Sequence, residues 1–205
     1  GEVIDGEAFD GWFTEDFTLA ELKTLRARER LPALRGTSHD GRYDIATLDE
    51  VIALAAEHAA RSGRRIGLIP EIKHPSHFQR IGLPMEERLL ETLAAHAYTR
   101  EAPVVIQSFE QANLRALRTW LEPSHGNIRL LQLLGPADMQ PGDALAAGKS
   151  TRYADLMTPA GLRDIAGYAE IIGPWTRLLI PVAEDGTLGA PTALTTDARK
   201  EGLHV

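Results

Sequence analysis

Ile66-Gly67-Leu68-Ile69-Pro70-Glu71-Ile72-Lys73-His74-Pro75 is an apolar run that turns charged at its end. Its first five residues have the chemistry of a strand buried on both faces, as parallel strands are. Side chains in a strand repeat every two residues, so Glu71 and Lys73 share one face. Carboxylates and ammonium groups are costly to remove from water, so their place behind five apolar residues calls for a reason. Two readings stand: an ion pair at the strand end, or a site at the carboxyl-terminal edge of a sheet.

Working outward, further apolar runs read as strands: Pro103–Phe109, Ile128–Leu134, Glu170–Ile172, Leu178–Val182 and Leu203–Val205. Helices alternate with them. Thr18 with Glu21, and Thr47 with Glu50, have the spacing of a capping box. The second box opens a helix with Val51, Ile52, Leu54 and Ala55 that ends at Ser62-Gly63. Pro84 begins another helix, Ser108 caps one carrying Leu114, Leu117 and Leu121, and a further helix is predicted near Thr158–Ala169. The alternation is the rhythm of βαβ units, which a doubly wound sheet and a barrel satisfy equally. No linker divides the chain, so residues 1–205 read as one domain. Gly135–Thr151 is predicted to be a long loop, and Asp40-Gly41 and Asp185-Gly186 to be turns.

Polar residues recur near the ends of successive strands: Gln107 and Ser108 after Val104-Val105-Ile106, then Gln132 within Ile128–Leu134. In α/β folds this is the edge where ligand groups gather. Gln107 and Gln132 equally suit a structural role, satisfying backbone groups. Ser108 is read as a helix cap, since it lacks a Gly-x-Ser-x-Gly elbow. His74 and His77 are read as solvated loop residues, and Trp12, Trp120 and Trp175 as packing groups.

Composition narrows the partners. The chain has 205 residues, a formal charge of −7, 43% hydrophobic residues and no cysteine. The negative balance argues against nucleic acid, which needs a basic face. No run approaches the ~18 apolar residues of a membrane span. The lack of cysteine excludes disulfides and thiolate metal sites.

Six segments in order carry a family resemblance: Gly11-Trp12-Phe13-Thr14-Glu15-Asp16-Phe17-Thr18-Leu19, Asp44–Val51, Pro70-Glu71-Ile72-Lys73-His74-Pro75, Val105-Ile106-Gln107-Ser108-Phe109, Leu131-Gln132-Leu133-Leu134 and Ile172-Gly173-Pro174-Trp175. Together they resemble the glycerophosphodiester phosphodiesterases, especially a bacterial periplasmic and secreted branch. The resemblance implies a (β/α)₈ TIM barrel and metal-dependent hydrolysis of a small glycerophosphodiester to glycerol 3-phosphate and an alcohol. It implies that Glu71 is a ligand of a divalent metal, Ca²⁺ or Mg²⁺, and that Lys73 lies beside the phosphate as a catalytic and substrate-binding group. Gln107, Phe109 and Gln132 take pocket-facing positions, and the branch implies a periplasmic or extracellular setting. Ala46 stands where the branch has proline. The family's His-Arg, Asn-Thr, Glu-x-Asp and His-Asp motifs, which include its acid–base histidines, are not found before Gly11. His39-Asp40 falls in the wrong order to replace them. The resemblance therefore implies strands one, two and eight outside this sequence, with the gap filled by further chain, a second copy or another polypeptide. The alternatives are a non-catalytic phosphate-binding or structural barrel of the same family, and a different metal-dependent barrel enzyme.

Overall fold

The computed structural model describes residues 1–121 and 125–205. A short hairpin opens the chain, β1 (Glu2–Ile4) paired antiparallel with β2 (Glu7–Phe9). Its turn is Asp5-Gly6, both with positive φ (52° and 82°), the geometry a two-residue hairpin loop demands. The central sheet follows: β3 (Val104–Ser108), β4 (Ile128–Leu134) and β5 (Ile171–Pro174), parallel and in sequence order. Isolated parallel bridges extend it on both sides, Leu68 with Val104 and Glu71 with Gln107 at one edge, Ile171 with His204 at the other. The 66–73 run thus follows the sheet without a continuous ladder. Pro70 has no N–H to give, and only its carbonyl takes part, accepting from Gln107 N (2.9 Å).

Helices Leu48–Ser62, Glu86–Ala95, Gln111–Leu121, Pro159–Ala166 and Leu194–Lys200 flank the sheet. Both capping boxes form: Thr18 accepts from Glu21 N, and Thr47 from Glu50 N. Gly63 closes the Leu48–Ser62 helix in the left-handed conformation (φ 66°) that a β-carbon resists. Leu68, Ile72, Val104, Ile106, Leu130, Leu134 and Ile172 from the strands pack with Ile52, Leu93, Leu114, Leu117, Leu162 and Ile165 from the helices into one core. One face of each strand of the central sheet is therefore helix-covered. The other face carries Ile69, Glu71, Lys73, Val105, Gln107, Leu131, Leu133 and Ile171 and is more open, with Ile69 60% exposed. This is the parallel β/α order expected of a (β/α)₈ barrel, seen as an arc. No closed barrel forms among the described residues.

Some expectations are corrected. Leu178–Val182 is not a strand: Thr176–Leu179 is a helical turn, and Val182 pairs antiparallel with Leu188 around Asp185-Gly186. Pro181 lacks the donor a ladder requires. Within the predicted loop Gly135–Thr151, Gly142–Ala146 is helical. The tryptophans are not core packing groups: Trp12, Trp120 and Trp175 are 85%, 50% and 47% exposed. The hairpin and the helix Leu194–Lys200 were not anticipated.

The two-faced arrangement makes a stability prediction. Leu130→Ala, on the helix-covered face, should cost about 2–5 kcal/mol in urea denaturation. Arg129→Ala, next along the same strand but exposed, should change stability by less than about 0.5 kcal/mol. Similar losses from both would contradict the assignment of faces.

Candidate active site

Glu71 and Lys73 leave the strand on the face opposite Leu68 and Ile72, and both are exposed. Register places Glu71 level with Gln107, Leu131, Ile171 and His204 across the sheet. Just beyond, a cavity of about 400 Å³ opens over the carboxyl-terminal ends of the strands. Lys73, His74, Phe109, Glu110 and Tyr153 line it, with Asp5 from the hairpin turn and Asp138, Met139 and Gln140 from the loop after β4. Lys73 and Phe109 thus reach the cavity. Glu71 and Gln107 lie on the same face but do not line it.

Gln132 does not reach it. It lies on the helix-covered face and is wholly buried. Its amide donates to the carbonyls of Phe109 and Leu133 (both 3.0 Å), while its Oε1 accepts from the Tyr168 hydroxyl (2.8 Å). The pocket-facing expectation is corrected to the structural alternative. An even-numbered residue one step from Leu131 and Leu133 points away from their face. Ser108 is also fully buried, and its hydroxyl accepts from Glu110 N (3.1 Å). The helix begins only at Gln111, so this bond fixes the turn before the helix. The expected cap is corrected to Asp143, which takes the first helical amides.

The groups missed from sequence come from distant segments. His74 Nδ1 donates to Asp5 Oδ2 (2.9 Å), across 69 residues of chain. His77 is not a solvated loop residue but 1% exposed, with Nε2 3.2 Å from Glu15 Oε1 and Arg80 donating to its Nδ1 at 3.0 Å. Arg80 also donates to Val3 O (3.2 Å), so this cluster ties the first residues of the chain to the strand end. Glu110 accepts from the Ser76 amide (3.1 Å) and hydroxyl (3.0 Å). Burial pushes its carboxyl up to about 7, and the charges of Asp143 and Asp5 add to the effect against the Ser76 bonds. Asp143 accepts from the amides of Gln111 (3.0 Å) and Ala112 (2.8 Å), pinning the segment after β4 to the first turn of the helix Gln111–Leu121, which precedes β4. Asp5-Gly6 was the legible signal for the hairpin. No local pattern announced Glu110 or Asp143. Trp175 lines an adjoining hollow that shares Phe109, Gly135 and Pro136 with the main cavity.

Glu71 offers one hard oxygen donor, but among the described residues no three His, Cys, Asp or Glu side chains gather closely enough to hold a metal ion. A calcium or magnesium ion takes six or more oxygens. The described residues alone do not compose a metal centre.

The arrangement is an α/β fold with a largely apolar cavity at the carboxyl ends of parallel strands, furnished with a few charged groups and with a lysine that is unpaired among the described residues. Comparison with known proteins sharpens this. Residues 2–205 match the glycerophosphoryl diester phosphodiesterase family, to which the chain belongs. It is similar to glycerophosphodiester phosphodiesterase GDPD6 of Arabidopsis thaliana, 31% identical over 98% of this chain and 54% of the relative. Similar bacterial relatives are the glycerophosphodiester phosphodiesterases of Treponema pallidum (28% identical, 83% of this chain, 52% of the relative) and Haemophilus influenzae (23%, 82% and 50%). The chain spans about half the length of these relatives.

Two outcomes test the site. Gln132→Ala should destabilise the protein by about 2–4 kcal/mol, because it strands the Tyr168 hydroxyl and two carbonyls. Gln107→Ala, on the open face, should cost far less in the same urea titration. The second outcome concerns pH. The raised Glu110 pKa means that the folded state holds its proton more tightly than the unfolded state. Stability should therefore fall as pH rises from about 4.5 through about 7, by at most about 3 kcal/mol in all. Glu110→Gln should be no less stable than the unaltered chain at pH 8 and should lose that slope. An unchanged slope would contradict the assignment.

Proposed function

We propose that this chain forms part of a metal-dependent phosphodiesterase that hydrolyses a glycerophosphodiester to glycerol 3-phosphate and an alcohol. The observation that carries the reading is the placement of Glu71 and Lys73. They leave the extended 66–73 run on the open face of the sheet, beside the cavity where an α/β fold collects its ligands, in a chain that belongs to this family. The names of the relatives support the same substrate class.

In this reading Lys73 sits beside the phosphoryl group, where its ammonium offsets the charge that develops as the ester bond breaks. Phe109 packs against the organic part of the diester, and Gln107 offers amide hydrogen bonds from the neighbouring strand. Glu71 is one oxygen ligand of a Ca²⁺ or Mg²⁺ ion whose other ligands are groups beyond those described. When bound, such an ion polarises the phosphoryl oxygens. No helix among the described residues is long and apolar enough to cross a membrane.

The test is hydrolysis of glycerophosphocholine by protein carrying this chain, with release of glycerol 3-phosphate measured. Turnover should be lost on chelation and restored by Ca²⁺ or Mg²⁺. Glu71→Gln keeps the side chain's shape but removes its charge, and should lower turnover at limiting metal by at least about a hundredfold, as expected when a charged metal contact is lost. Turnover in Glu71→Gln equal to that of the unaltered protein would remove the ligand assignment. Phosphate binding without any turnover would favour the non-catalytic reading.

A further inference from the structure

Lys73 and His74 are adjacent residues that line one cavity, and neither Lys73 Nζ nor His74 Nε2 has a protein partner among the described residues. Their neighbours are occupied otherwise. Asp5 is taken up by His74 Nδ1 at 2.9 Å, and Glu110 by the amide and hydroxyl of Ser76. Asp138 is exposed on the loop after β4, and the Tyr153 hydroxyl points to the Phe109 carbonyl at 3.4 Å. His74 also holds an unusual backbone conformation, φ 56° and ψ 46°, which a residue with a β-carbon rarely adopts. The hydrogen bond to Asp5 helps to hold it there.

Asp5 fixes which nitrogen is available. An ionised carboxylate only accepts, so Nδ1 carries a proton and Nε2 is the nitrogen left for a ligand. When protonated, Nε2 donates a charge-assisted hydrogen bond, the kind that anionic oxygens receive best.

We propose that His74, oriented by Asp5, is the second arm of an anion clamp with Lys73 that holds the phosphoryl oxygens of the substrate. This rests on the phosphodiester reading above. Asp5 is a positioning residue, because it acts only through the imidazole. The inference adds to the Glu-x-Lys pair a contact that depends on the hairpin some seventy residues earlier in the chain.

Sulfate is the probe, since it stays a dianion from pH 6 to pH 8 and any pH dependence of its binding comes from the protein. Binding to the 205-residue chain is measured by calorimetry at both pH values, with melting curves as a folding check. The unaltered chain should bind roughly tenfold more weakly at pH 8 than at pH 6, as one charge-assisted hydrogen bond is lost. Several groups face this position: Lys73, Asp5, Glu110, Asp138 and Tyr153. Of these, Glu110 has a carboxyl that burial pushes up to about 7, between the two pH values. Glu110→Gln should therefore keep most of the pH dependence, whereas His74→Asn should abolish most of it and bind weakly at both values. Asparagine tolerates the left-handed backbone, so the substitution spares the fold. Should it nonetheless unfold the chain, Asp5→Asn must weaken binding at pH 6. Lys73→Met should weaken binding at both values. If His74→Asn binds as the unaltered chain does at pH 6, the clamp is overturned while the Lys73 reading stands. If binding ignores both Lys73→Met and His74→Asn, or does not occur, the phosphate reading fails with it.

Discussion

A side chain in a parallel strand has two directions to take, and here one of them is filled by helices. That constraint orders the rest of the molecule. Leu68, Ile72, Ile106 and Leu130 take the filled side and are nearly or wholly removed from water, each contributing about 1.5–3 kcal/mol of burial. Their neighbours in the 66–73 run must face the other way. A carboxylate and an ammonium on that side avoid the desolvation that would make them intolerable in the core. Chemistry is thus confined to one face by the same alternation that builds the core on the other.

The cavity depends on contacts of much longer range. Asp5 meets His74, Glu15 meets His77, and Asp143 caps the helix that follows Glu110. Each contact joins segments held apart in sequence by 32 residues or more. They bring the first hairpin and the loop after β4 to the ends of the strands, where the loop supplies much of the wall. Gly142 packs so closely against the Asp5 and Glu110 carboxyls that a β-carbon would displace them. The glycine lets the loop close on the hairpin, and a carboxyl left between them is pushed toward neutrality by burial.

How much of this was legible follows from the range of each signal. The capping boxes at Thr18 and Thr47 and the left-handed Gly63 are written within three or four residues, and all form. The faces of Glu71 and Lys73 follow from a period of two. The same period misled at Gln132 only because its polarity was weighed above its register: it is one step from Leu131 and Leu133 and so faces the helices. Leu178–Val182 was apolar enough for a strand, but Pro181 removes a donor that hydropathy does not count. Glu110 and Asp143 look like ordinary surface acids in sequence. Their surroundings come from elements more than thirty residues away, and no local pattern encodes them.

Alternation along the extended 66–73 run divides function from core residue by residue, and thiol labelling reads this directly. The natural chain has no cysteine, so single cysteines at positions 71, 72, 73 and 132 report without background. Under native conditions, labelling by a small charged thiol reagent should be fast for Glu71→Cys and Lys73→Cys. It should be slower by orders of magnitude for Ile72→Cys and Gln132→Cys, which would react only on local opening. Equal rates at positions 71, 72 and 73, or a reactive cysteine at 132 with 73 protected, would contradict the account.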